Sequence, residues 1–227
     1  MTMQQVNSGN TTATTSVGSP MSIPKGLSMD AILAYLTIQL NNIDSQLNNF
    51  MDKQEKTANA QQALAALKTN LMNYDTSGNN CAQKEQIIKD MKTAYDNLPP
   101  NDPARAQLEE QFQKFAGTAC LNDNKDVGGL RSDNFSLATL TQDDISKIAN
   151  NPTRHDKGNG DNAMDADKEL KPMQDSIASI TESVGKTSEL DMVQINSLMS
   201  QRQMFVQMAS GMAKSYDDTG MAIAKNI

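Results

Sequence analysis

Two segments near opposite ends of the chain, Ala31 to Met51 and Met192 to Ala213, are amphipathic and almost free of charge: the first holds only Asp44, the second only Arg202. A helix with one face in water normally covers that face with Glu and Lys, which favour helix and keep the surface soluble. Here the polar positions carry Gln39, Asn41, Asn42, Gln46, Asn48 and Asn49, then Gln194, Asn196, Gln201, Gln203 and Gln207. Amides hydrogen-bond across a protein contact without desolvating a full charge, so such helices suit an environment of protein on every side. The two segments are expected to meet, in a subunit built to assemble and not in an enzyme.

Ser28 is placed to cap a helix that then runs without Gly or Pro to about Tyr74. Leu33, Leu36, Leu40, Ile43, Leu47 and Phe50 recur three and four residues apart, the spacing of a coiled-coil seam. The pattern weakens from Gln54 to Asn59. It resumes at Ala60, Leu64, Leu67 and Leu71 in a register offset by three, which locally overwinds a helix pair. A helix of roughly 65 Å needs a partner. Asp75 to Gly78 ends it with turn residues and a C-cap glycine. A last helix is expected from about Asp167–Pro172 to the final residue, bending at Gly185. Met173, Ile177, Ile180 and Val184 form its first stripe, and Ile195, Leu198, Phe205, Met212 and Ile223 continue a seam with Met199 beside it. Arg202 falls on that seam, where it either fixes register or meets a carboxylate. The chain stays apolar through Met221, Ala222, Ile223, Ala224 and Ile227, so its C-terminus is expected to be buried in an assembly.

Between these helices lies a helical hairpin. Ile87, Met91, Tyr95 and Leu98 make one stripe and Leu108, Phe112, Phe115 and Ala119 the other. Pro99 to Pro103 separates them, with Asp102 capping and Pro103 in the first turn of the return helix. Cys81 and Cys120 lie nearly equidistant from that turn, so the fold brings their thiols toward one another. A disulfide there would close a loop of about 40 residues and contribute roughly 2–4 kcal/mol. Two reduced, buried thiols fit the residues equally well. Residues 121–162 turn to Asn, Asp and Gly, with a helix start at Thr141-Gln142-Asp143-Asp144 and otherwise loops or a short β-hairpin.

The composition narrows the chemistry. A net charge of -7 with no basic stripe argues against nucleic acid. Hydrophobic residues at 37 % allow only a lean core, which favours an elongated shape over a sphere. No run approaches the ~18–20 apolar residues of a membrane span. His155, in a polar loop, is the one histidine, so catalytic triads and His-ligated metals are not expected. Asp156, Asp161, Asp165, Asp167 and Glu169 cluster, but a calcium loop with Gly160 sixth would place Ala166 twelfth, where a glutamate is needed. No cofactor is expected, and two cysteines are too few for a zinc site. Residues 1–27 begin with an uncharged Ser-, Thr- and Asn-rich stretch, read as a disordered tail.

The uncharged N-terminus, the helix from Ser28, the insertion and the C-terminal helix together resemble the type III secretion needle-tip proteins and the related EspA-type filament proteins. The stretch from Glu189 to Gln203 (ELDMVQINSLMSQRQ) and that from Ala213 to Ile227 (AKSYDDTGMAIAKNI) look like the family's C-terminal coiled-coil helix and closing segment. The resemblance covers both terminal helices, roughly 90 residues, and does not extend to residues 81–162. It implies a mainly α, elongated protein with four parts: an uncleaved export signal in residues 1–27, a coiled-coil helix over 28–76, an inserted head over 77–165, and a second coiled-coil helix over 166–227. The two helices would pair as an antiparallel coiled coil, and the head would hold the hairpin 81–120 and a loop-rich α or α+β part. The implied role is to cap the needle at the bacterial surface, scaffold translocon assembly and hold back secretion until host contact. Partners would be copies of itself, the needle subunit and translocator proteins. The alternatives are an EspA-type filament subunit and, from a different class, a cytosolic helical adaptor or export chaperone. The residues expected to carry assembly are Leu36, Leu40, Ile43, Leu47, Phe50, Ile195, Leu198, Met199, Arg202, Phe205, Met212, Ile223 and Ile227.

Overall fold

In a computed structural model, residues 28–76, 80–121, 131–151 and 164–225 are described. Among them are five α-helices and no strand: α1 (Met29–Met72), α2 (Cys81–Asn97), α3 (Pro103–Phe115), α4 (Gln142–Ala149) and α5 (Lys171–Lys225). The protein is mainly α. The β-hairpin considered for residues 121–162 is absent from the described part, 131–151, where a 3-10 turn (Ser132–Asn134) and α4 stand instead.

Short-range chemistry sets the helix ends. Ser28 Oγ accepts from the Ala31 amide at 3.3 Å, and Asp102 accepts from Ala104 at 2.9 Å with Pro103 opening α3. Thr141 and Asp144 form a reciprocal capping box on α4. The Thr141 hydroxyl and backbone N–H both donate to the Asp144 carboxylate and hold that carboxyl below its ordinary value. α3 leaves through a π turn, Ala116–Cys120, closed by Leu121 N donating to Ala116 O at 2.7 Å. α5 is entered through another, Ala166–Leu170, with Asp165 capping Asp167 and Lys168. α5 then passes through Gly185 without a break.

The chain divides into two compact units, Asn41–Met204 and Met1–Leu40 with Phe205–Ile227. In the larger unit one continuous apolar core gathers residues from all five helices: Leu64, Leu67 and Leu71 of α1, Ile87 and Met91 of α2, Phe112 and Phe115 of α3, Ile148 of α4, and Ile177 and Ile180 of α5. Tyr74 sets its ring edge against Phe115, centroids 5.6 Å apart. The inserted helices therefore share their core with α1 from Ala60 onward and with the first turns of α5. Polar ties lock this arrangement. Buried Asp90 accepts from Asn70 of α1 and Gln86 of α2, at 2.6 and 2.8 Å. Glu109 accepts from the Leu137 amide at 2.9 Å, fixing the 135–140 turn on α3. In the smaller unit, Leu36 of α1 and Phe205 of α5 are buried.

Candidate assembly surface

Four contacts join α1 to α5 within the larger unit. Arg202 Nε lies 2.6 Å from Asp44 Oδ1, and Lys53 Nζ lies 2.8 Å from Asp191 Oδ1. Gln54 Nε2 donates to Ser188 Oγ at 2.8 Å, and Gln174 Nε2 to Leu71 O at 2.9 Å. The numbers on α5 fall from 202 to 174 as those on α1 rise from 44 to 71, so the helices run antiparallel here. The lone charges of the two neutral segments thus find each other. Both are about half exposed, at 49 % and 44 % of the side chain. Such a pair adds only about 0–1 kcal/mol, and its effect is on register: a slip of either helix would leave both charges unmatched.

The contact between the helices changes character along its length. Ile43 and Leu47 are buried on α1, and Ala60, Ala63 and Leu64 are buried farther on. Between them Lys53 meets Asp191 and Gln54 meets Ser188, a polar layer at the place where the apolar pattern lapses. Thr57 is buried and its hydroxyl donates back to Lys53 O at 2.9 Å. Asp191 is 4 % exposed, and its Oδ2 and Gln54 Oε1 are buried with no protein hydrogen-bond partner. Lapsed periodicity signalled this layer, but nothing in the sequence singled out Asp191 as its buried acid.

Of the other residues expected in the seam, Leu40, Phe50, Ile195, Leu198 and Met212 are half-buried. Met199 is not in it: one residue past Leu198 is about 100° around a helix, and Met199 is 57 % exposed. The Ile223 side chain and Ile227 lie outside the described residues. Met199 belongs to an outer side of α5 that sequence reasoning did not separate from the seam. Met192, Asn196 and Gln203 are exposed on it as well, and Leu190, Val193 and Met204 are exposed farther around the helix. The signal was present, since Met192, Asn196, Met199 and Gln203 alternate four, three and four residues apart, a second register beside the first. In the smaller unit Ile38, Val206, Tyr216 and Met221 are exposed.

Cys81 opens α2 and Cys120 closes the turn after α3, so both stand at the open end of the hairpin, the first half-buried and the second buried. His155, Asp156, Gly160 and Asp161 lie outside the described residues. Asp165 and Glu169 are engaged in the entry to α5, where Glu169 accepts from the Asp165 amide at 2.8 Å. Among the described residues no group of His, Cys, Asp or Glu could hold a metal ion, and no helix is long and apolar enough to cross a membrane. Comparison with protein-family models, with curated proteins and with solved structures gives no match.

Proposed function

We propose that the chain is a non-enzymatic structural subunit that caps a type III secretion needle, scaffolds assembly of the translocon pore and gates effector secretion on host contact. The observation that carries an assembly role is that five large apolar residues of α5, between Leu190 and Met204, stand exposed. Within that span the two charges are engaged elsewhere, Asp191 by Lys53 and Arg202 by Asp44. A 15-residue stretch that exposes so many large apolar side chains among amides is the kind of surface that a protein contact covers. The secretion role rests on the resemblance of Glu189 to Gln203 and of Ala213 to Ile227 to the tip family. In this reading α1 and α5 form a coiled-coil stalk that docks on the needle, residues 77–165 face the translocator proteins, and the chain is exported without a cleaved signal. A filament subunit of the same system would need little beyond the helices, so the size of the insertion favours the cap.

The test is fractionation with and without a working type III export apparatus, followed by immunogold labelling of surface needles. Export-dependent label confined to needle ends is the expected result. Label along a fibre would replace the cap with the filament subunit, and retention in the cytosol of both strains would leave the adaptor reading.

A further inference from the structure

We propose that the cleft between α3 and the start of α5 binds a neutral saccharide. The cleft has a volume of about 610 Å³, within the ~300–1,000 Å³ of ligand pockets. A ligand here is independent of the secretion role. The floor of the cleft is made by buried residues of both helices, Gln111 of α3 and Met173 of α5, with Met164 beside them. Gln111 is 6 % exposed, and its side-chain amide has no hydrogen-bond partner among the described residues. Buried polar groups are nearly always paired, so an unpaired amide that lines a cleft marks a place for something other than the protein to bond. The hydroxyls of Ser176 and Ser179, one turn apart on the α5 wall, also lack a partner among the described residues. Both π turns border the cleft as well: Thr118 belongs to the one that follows α3, and Lys168 and Glu169 to the one that opens α5. Such turns recur at functional sites.

The lining selects the ligand by charge first. Lys114 is held by Glu110 at 2.7 Å, Lys168 lies 3.8 Å from Asp165, and Glu169 accepts from the Asp165 amide. Two lysines and two glutamates thus line the cleft in balance, each already engaged, so an anion or a cation gains no net attraction. What is left to bond a ligand is the amide of Gln111 and the hydroxyls of Ser176 and Ser179, groups that both donate and accept. A sugar hydroxyl is a group of the same kind, and it can reproduce the hydrogen bonds of the water it displaces. Met164 and Met173 supply adaptable apolar surface for the C–H face of a sugar ring. An apolar ligand would instead leave the amide and hydroxyls without partners. Peptides dock on strand edges, in apolar helix grooves or in aromatic-lined grooves, and the lining of this cleft provides none of these.

The full chain is tested on an array of immobilised neutral and sialylated oligosaccharides. The neutral oligosaccharide retained most strongly is then titrated, free in solution, against wild type, Gln111→Leu, Ser176→Ala and Ser183→Ala. Ser183 is exposed on α5 outside the cleft and serves as the control. Wild type is expected to retain neutral oligosaccharides, with binding weakened about fivefold or more in Gln111→Leu and in Ser176→Ala, and about twofold or less in Ser183→Ala. The urea midpoint of Gln111→Leu should not fall, because no protein group loses a hydrogen bond; a merely structural glutamine would not lose binding while stability holds. Competition by the constituent single sugars at similar affinity would assign a free sugar, and a need for the whole oligosaccharide would assign the end of a glycan. Retention of no neutral oligosaccharide, retention of sialylated ones alone, or unchanged affinity in both cleft variants would overturn the proposal.

Discussion

Asp191 places a carboxylate against α1 with 6 % of its side chain exposed, one oxygen on Lys53 and the other without a protein partner. Lys53 is about one-third exposed, so water screens the pair on one side only. Removing the lysine strands a buried charge, whereas removing both groups replaces the polar layer with apolar packing. Lys53→Met is therefore expected to destabilise the protein by roughly 1–3 kcal/mol, and the double variant Lys53→Met/Asp191→Leu to recover most of that loss. Urea denaturation of the two variants decides the matter. A double variant no more stable than the single one would show that Asp191 does not depend on Lys53. The layer interrupts an otherwise apolar contact, and with the Asp44–Arg202 pair it opposes slippage more than it adds stability.

At the scale of the element, α5 is a 55-residue helix with Gly185 and Gly211 in its interior. Glycine is the weakest helix former after proline, which is the ground for expecting a bend at Gly185. The helix continues through it, and a Cβ added there would meet only Gln61 Nε2, at 3.9 Å, an ordinary contact. Gly185→Ala should thus stabilise the protein by about 0.5–1 kcal/mol through helix propensity alone. Chemical denaturation would measure it, and a loss of stability would mean that α5 needs a glycine there. The helices themselves were legible because their signals are local. Ser28, Asp102 with Pro103, and Thr141 with Asp144 each cap the helix that their spacing announced. The stripes Met173, Ile177, Ile180 and Val184, and Leu108, Phe112 and Phe115, are all buried as the 3.6-residue period requires. The two sides of α5 were not separable, since Leu198 and Met199 are equally apolar and which of them α1 covers depends on packing. Nor could residue types alone place a carboxylate inside the contact, at Asp191, where water would ordinarily be expected.

For the whole molecule, the distribution of buried side chains divides the helices more sharply than their continuity suggests. From Ala60 onward α1 contributes to a core completed by α2, α3, α4 and the first turns of α5 up to Val184. In the rest of the larger unit, residues 41–57 of α1 and 188–204 of α5 bury Ile43, Leu47, Thr57, Ser188 and Asp191 and leave Met51, Leu190, Met192, Val193, Met199 and Met204 exposed. Residues with few buried apolar neighbours open at a lower free energy than the core, even inside a continuous helix, because the helix hydrogen bonds there can reach water without disrupting other elements. Native-state hydrogen exchange is expected to show this within one helix. Amides of Leu64, Leu67 and Leu71, and of Ile177 and Ile180, should exchange at the rate set by global unfolding. Those of Ser45 to Gln54 and of Gln194 to Ser200 should exchange on the order of tenfold faster or more. Uniform protection along α1 would mean that the polar layer and the Asp44–Arg202 pair hold the helices as firmly as the core does. The expected gradient would instead place the least stable part of the larger unit where the outer side of α5 is exposed.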